Sequence, residues 1–305
     1  MSFELKLIIL FLDNTFLNLN NKKLTLNLDH NVILVNNLDQ AIEDYTQLGF
    51  TVSPGGAHAG GISRNALIHF QDGTFLELLV METGGRTQLL KQMYTSGLLK
   101  NYQTTAKYGM AYRFYGRTLD LGGPPPNREG MTDFCLLADH EAGDYSKMQS
   151  QNVALTPPYE ASRLRPDGQT VSWKMYTALD DALPFFRTDY YPKITRPAAA
   201  LQHANGVTGT QKIILFVEDY SAAVQSYQQL FKDNPSQQTE DSLIFTLNNG
   251  IVEIIDAKNT SRKEDLALVK AQGIGRFAQV MLSNNPDFAQ QMQQGNTHGL
   301  VFLQA

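Results

Sequence analysis

The chain has 305 residues, 42% of them hydrophobic and 18% charged, and carries a formal net charge of −5. That length supports a large core and two domains, while scattered Lys and Arg with a net negative charge give no support for nucleic acid as a partner. A single cysteine, Cys135, excludes an intrachain disulfide and a multi-cysteine zinc site.

Residues 1–25 are dominated by Leu, Asn, Phe and Lys and differ in composition from the rest of the chain. Their apolar run Leu7–Leu12 is too short to span a bilayer. Glu4 and Asp13 flank it and no small-residue cleavage site comes after it, so it lacks the form of a signal peptide. The expectation is an extension, either an extra edge strand or translated sequence upstream of the true start, and a cytoplasmic protein with no membrane contact. Leu28–Val35 then reads as a strand, closed by Asn36-Asn37. In Asp39–Gly49 the apolar residues Ala41, Ile42, Tyr45 and Leu48 recur at helical spacing, with Asp39 to cap the start and Gly49 to end it. Ser53–Gly61, rich in Gly and Pro, reads as a loop. Leu67–Phe70 and Thr74–Val80 flank Asp72-Gly73, a strong hairpin-turn signal.

Gly84–Tyr115 carries helical signals in Leu89, Leu90, Met93 and Leu98, and Leu121–Gly130 is a Pro/Gly loop. A diverged module comes next, with a strand at Phe134–Ala138, a helix at Glu141–Gln151 and strands at Gln169–Thr177 and Leu183–Asp189. Cys135, in the first of these, reads as a buried core thiol. After the linker Arg196–Ala200 the opening pattern returns as Lys212–Val217, Asp219–Phe231 and Ser242–Asp256. Each copy is a strand, a helix and a hairpin whose second strand holds one acid, Glu77 or Glu253, among apolar neighbours. Such a repeat sets the architecture before any motif is consulted. Phe277–Leu282, Pro286–Gln291 and His298–Gln304 form a shortened fourth unit.

Strand alternation puts His30, Val32 and Leu34 on one face. If that face lines a cavity, His30 and Glu77 make half a ligand set for Zn, Mn, Fe or Ni; otherwise they form a His–Glu hydrogen bond at the edge of a core. Arg163 and Arg165 flank Leu164 and could together clamp a carboxylate or phosphate, or could belong to a solvated turn. In the second copy Lys212 stands where His30 stands in the first, so a salt bridge to Glu253 is expected there. Asp133 is read as a surface residue at a strand entry, His58 as an idle loop histidine, His69 as facing away from the cup, and His140 and His298 as surface positions. No P-loop, dinucleotide fingerprint, nucleophile elbow or CxxC cluster is present.

LDHNVILVNNLDQAIEDYTQLGF, beginning at Leu28, followed by GGISRNALIHFQDGTFLELLV resembles the glyoxalase-like branch of the vicinal oxygen chelate superfamily. So do the run Arg163–Gln169 with Trp173 beyond it, and the patch Gln202–Gly206. The resemblance implies an α+β fold of repeated βαβββ modules paired into cupped, barrel-like sheets, with ligands on the first and fourth strands. It implies that His30 and Glu77 occupy two metal-ligand positions, that Asn65 lies near the cup, and that Arg163, Arg165 and His203 contribute to substrate binding. The expected units are residues 26–195 and 196–305. The expected function is a divalent-metal-dependent lyase, isomerase or dioxygenase acting on a small oxygenated or carbonyl compound. Glu77 would serve as ligand or general base, and the chain would act alone or as a homodimer. The alternative is a metal-free protein that sequesters a small molecule; fold resemblance does not choose between them.

Overall fold

The computed structural model of the protein describes residues 23–304 apart from 25, 59, 121–128, 140–142, 166, 273–275 and the side chain of residue 120. The expected extension over residues 1–22, most of the Pro/Gly loop and His140 therefore lie outside the described residues. Leu24 and Leu26 already belong to the core.

The chain begins with β1 (Asn27–Leu34), α1 (Leu38–Gln47), β2 (Ser53–His58), β3 (Ser63–His69) and β4 (Phe75–Met81). Two helices, α2 (Gly85–Thr95) and α3 (Ala106–Tyr115), precede β5 (Gly130–Leu137), α4 (Asp144–Ser150), β6 (Tyr159–Leu164), β7 (Thr170–Thr177) and β8 (Phe185–Arg187). These eight strands close into a barrel in the order β1-β4-β3-β2-β6-β7-β8-β5, with β5 pairing antiparallel to β1. Then come β9 (Val207–Val217), α5 (Tyr220–Leu230), β10 (Ser236–Gln238), β11 (Ser242–Thr246) and β12 (Ile251–Asp256). The chain ends with α6 (Lys263–Gln272), β13 (Phe277–Ser283) and α7 (Phe288–Gln293). The strands after β8 form a second, five-stranded sheet in the order β10-β11-β12-β9-β13. Beyond α7 the expected last strand is reduced to a single bridge between Gln279 and Phe302. The fold is thus α+β with βαβββ modules and a cupped, barrel-like sheet, as expected. Among the described residues no helix is long and apolar enough to cross a membrane.

Local chemistry accounts for most element ends. The side chain of Asn37, not of Asp39, caps α1, accepting hydrogen bonds from the backbone N–H groups of Asp39 and Gln40. Asp39 instead occupies the first turn, where its charge favours the helix dipole. Asp219 caps α5 in the same way, through the Ala222 N–H. The β3–β4 hairpin turns at Asp72-Gly73, with Gly73 at φ +89°.

One expectation fails here: Ser53–His58 is a strand, not a loop. It pairs with β3 on one side and β6 on the other. Its glycines serve close approach and curvature. A Cβ on Gly55 would stand 2.0 Å from Asn65 Oδ1, and Gly56 lies at a register shift with φ +130°. Glycine inside a strand commonly marks such a bulge.

Alternation then sorts the barrel side chains. Ile33, Ala66, Ile68, Leu76 and Leu78 point outward into the main core, which continues to Tyr227, Phe231 and Phe245 of the second unit. His30, Val32, Leu67, Phe75, Glu77 and Leu79 point inward. Helices α2 and α3 pack over the barrel on a cluster of Leu90, Leu99 and Tyr115.

Candidate active site

The barrel encloses a cavity of 360 Å³, walled by strands from both barrel modules and roofed by Leu90, Met93, Met110 and Phe114 of α2 and α3. Most of its lining is apolar, and two imidazoles and a carboxamide gather around Glu77.

His30 and Glu77 converge as the sequence suggests, because β1 and β4 are adjacent parallel strands with Val32 beside Glu77. His30 Nε2 lies 3.3 Å from Glu77 Oε2. Nδ1 of the same ring is 2.6 Å from Asp29 Oδ2. Two consecutive residues can both serve the interior because β1 shifts register against β5 between Leu28 and His30. The Asp29 carboxylate in turn accepts two hydrogen bonds from Arg187, Nε at 2.5 Å and Nη2 at 2.6 Å. Phe75 stacks on the His30 ring at 4.4 Å. The orientation of the imidazole is therefore fixed on both its edge and its face.

Glu77 Oε1 accepts a hydrogen bond of 2.5 Å from Asn65 Nδ2, and His58 Nε2 lies 3.7 Å from the same oxygen. Asn65 Oδ1 accepts from Arg163 Nη1 at 3.4 Å. Burial opposes the charge on Glu77, but His30, His58 and Asn65 outweigh it and hold its pKa down to about 2. Burial likewise opposes ionisation of Asp29, and Arg187 with His30 brings its pKa to about 2. For His30, burial disfavours the imidazolium, yet Cys135, Asp29 and Glu77 raise its pKa well above the ordinary range. Burial pushes the Cys135 thiol itself up to about 11, so at neutral pH the anions facing His30 are the two carboxylates. His58 is shifted down, chiefly by burial, and is neutral at pH 7.

Among the described residues Asp29, His30 and Cys135 form a group whose ligand atoms lie within 4.8 Å of one another. It does not suit a cation, because both Asp29 oxygens are already engaged by the Arg187 guanidinium and Cys135 is fully buried behind His30. The set that faces the cavity is His30, Glu77 and His58. Among the described residues the second module adds no histidine to it, and its cavity-lining carboxylates are Glu160 and Asp133. Asp133 is buried, not a surface residue as expected, and is bound through both oxygens by Arg113, Nε at 2.6 Å and Nη2 at 2.8 Å. Phe185 and Arg187 of β8 line the cavity as an aromatic ring and a guanidinium.

Other expected residues fall elsewhere. Arg163 is buried at the cavity wall, but β6 ends at Leu164, so the alternation does not carry Arg165 inward; that residue pairs with Asp167 at 3.0 Å outside the cavity lining. His203 is also remote from the cavity. It accepts from the Thr51 N–H at 2.9 Å and reaches the His69 carbonyl at 3.0 Å, tying the linker to the barrel. His69 shares the inward parity of Asn65 and Leu67 and packs on Phe75 at 5.1 Å, contrary to expectation. His298 is not on the surface; it is buried between Glu129 and Asp44. In the second sheet Lys212 Nζ does bond Glu253, at 2.9 Å. Sequence reading missed His58, Asp29, Arg113 and Arg187 as site residues. Only Asp29 gave a local signal, as the acid next to His30.

A family model described as a glyoxalase-like domain matches residues 28–231. Among curated proteins nothing matches. A solved structure of a hypothetical protein from Staphylococcus aureus superposes with a TM-score of 0.57 at 16% identity, covering 76% of this chain and 87% of that one. The Mn(II)-bound glyoxalase from Novosphingobium aromaticivorans gives a TM-score of 0.45 at 10% identity, covering 89% of this chain and 71% of that one. A 2,2',3-trihydroxybiphenyl 1,2-dioxygenase from Sphingomonas wittichii strain RW1 gives 0.40 at 11% identity, covering 87% and 75%.

Proposed function

Since the chain belongs to the glyoxalase-like domain family of the vicinal oxygen chelate superfamily, we propose that its barrel cavity is the active site of a divalent-metal-dependent enzyme for a small oxygenated or carbonyl compound. The observation that carries this reading is the Glu77 carboxylate, met by two imidazoles and a carboxamide at the polar end of an apolar cavity. His30 and Glu77 would hold the ion, with His58 as a third donor. The donor set fits: the Asp29 carboxylate on Nδ1 orients the ring and leaves Nε2 for the ion, the arrangement that ligating histidines ordinarily use. Two imidazoles and a carboxylate suit Mn, Fe, Ni or Zn. When bound, such an ion supplies Lewis-acid stabilisation of negative charge building on a substrate oxygen.

This chain's own residues do the rest. Asn65 holds Glu77 in one rotamer and keeps its second oxygen from turning into the cavity. A general base works best with a pKa near the operating pH, and a carboxyl held at about 2 is far from that, which favours the ligand role for Glu77 over proton abstraction. The side chains of His30 and Glu77 are largely buried, so charges there interact more strongly than in solvent.

A second reading, a metal-free protein that sequesters a small molecule, is favoured by one observation. His30 sits between the Asp29 and Glu77 carboxylates, at 2.6 and 3.3 Å, which favour the imidazolium, and a protonated ring has no lone pair to offer an ion. Metal analysis of purified protein after exposure to Mn, Fe, Ni and Zn separates the two. The enzyme reading expects about one ion per chain, lost in His30→Ala and in Glu77→Ala. Wild-type protein that takes up none of the four ions refutes it.

A further inference from the structure

Arg163 is buried, with 5% of its surface exposed, yet among the described residues its guanidinium faces no carboxylate. Its one hydrogen bond there is the 3.4 Å contact from Nη1 to Asn65, and its Nε has no partner among them. The other buried arginines that line the cavity differ: Arg187 is held by Asp29 and Arg113 by Asp133, and Arg117 lies 3.8 Å from the Asp133 carboxylate. A buried cation without a counter-charge costs stability, and a site that keeps one is poised for an anion. The cavity as a whole agrees. Among the described residues Arg86, Lys107, Arg113, Arg117, Arg163 and Arg187 line it against three carboxylates, Glu77, Asp133 and Glu160, although the protein as a whole is acidic. Arg86 and Lys107 are exposed, where they can draw an anion in from solvent.

The rest of the wall is not built for a compact inorganic ion. Met93, Met110, Phe114, Phe185 and Trp173 present an apolar and aromatic surface opposite a few polar groups. Arg163 is two hydrogen bonds from Glu77 by way of Asn65. We infer that the ligand is an amphipathic monocarboxylate, its carboxylate on Arg163 and its apolar body against the α2–α3 roof. This rests on the reading of the cavity as the substrate site, and it adds the substrate class. An acid held so would bring the oxygenated carbons next to its carboxylate closest to Glu77 and His30.

The protein's single tryptophan lines the cavity and supplies the readout. Trp173 fluorescence is titrated with phenylacetate and 4-methylpentanoate, with the amide of each, and with inorganic phosphate. At least one acid should bind tenfold or more tighter than its amide, and phosphate should bind tenfold or more weaker than that acid. Arg163→Gln should abolish the preference for acid over amide without lowering the thermal midpoint, and Arg163→Lys should restore part of it. Arg165→Gln should leave the preference unchanged. The inference is overturned if no acid binds, if phosphate binds as well as the best acid, or if folded Arg163→Gln keeps the preference. It is equally overturned if Arg117→Gln, and not Arg163→Gln, removes the preference. Metal content is measured on the same samples. An Arg163-dependent preference in protein that takes no ion would refute the metal reading and leave this one standing.

Discussion

Asp133→Asn removes one charge from a buried ion pair of the barrel and leaves the shape of the side chain intact. In the wild type the Arg113 side chain is 2% exposed and gives Asp133 two hydrogen bonds, at 2.6 and 2.8 Å. Without the carboxylate it keeps only charge-neutral acceptors, the amide oxygen of the substituted side chain and the Leu183 carbonyl at 2.5 Å. Arg117, whose Nε lies 3.8 Å from the same carboxylate and whose Nη1 has no hydrogen bond among the described residues, loses its counter-charge too. Breaking a buried pair in this way costs about 3–5 kcal/mol, a large part of the roughly 5–15 kcal/mol that holds a domain folded. Urea unfolding followed by circular dichroism at pH 7 measures it. Replacing both partners by apolar residues, Arg113→Met with Asp133→Leu, should recover the part of the loss that comes from Arg113, while Arg117 still lacks its counter-charge. A loss below about 1 kcal/mol in Asp133→Asn would refute the argument that this pair is desolvated. The pH dependence has a definite sign. Burial opposes the charge, but Arg113 and Arg117 lower the Asp133 pKa below its ordinary 3.8. Its contribution is therefore complete above that value and fades as pH falls through the lower folded pKa, so the gap between wild type and Asp133→Asn should narrow in acid.

His298 has the opposite sign. Burial lowers its pKa, but Glu129 and Asp44, at 2.8 and 3.0 Å, outweigh burial and raise it. Its contribution is present below the ordinary 6.5 and is lost as pH rises through the folded value. The stability gap between wild type and His298→Gln should accordingly be larger at pH 6 than at pH 9, and an equal gap at both would contradict the assignment. Leu99 is fully buried beneath α2 and α3, so Leu99→Ala should cost about 2–5 kcal/mol in the same unfolding assay. Because that cluster carries the cavity roof, the variant should also bind the preferred carboxylate more weakly; unchanged affinity would detach the roof from the site.

The half of the site on β1 and β4 was legible because strand alternation is a local property. Parity put His30 on one face with Val32, and the hairpin holding a single acid recurred with Glu253. The equivalence of Lys212 with His30 also held, since β9 and β12 repeat the β1–β4 register. What failed involved partners far along the chain. SPGGAH reads as a loop by composition, and it is a strand because β3 and β6 supply hydrogen bonds on both sides and Asn65 crowds the position of Gly55. His58 was lost from the reading with it. Asp133 looked like a surface acid because nothing near it in sequence neutralises it; Arg113, twenty residues earlier on a helix, does so in space.

By itself, then, the amino-acid sequence determined the repeated strand, helix and hairpin, the shared face of His30 and Val32, and the absence of the His–Glu pair from the second copy. These come from side-chain periodicity and turn chemistry, which act over a few residues. Tertiary structure alone decided which charges inside the barrel cancel. Asp29 meets Arg187 and Asp133 meets Arg113, while Arg163 meets no carboxylate among the described residues. In a low-dielectric interior a charge is governed by whatever lies within a few ångströms, and barrel closure brings those neighbours together from strands and helices far apart in the chain.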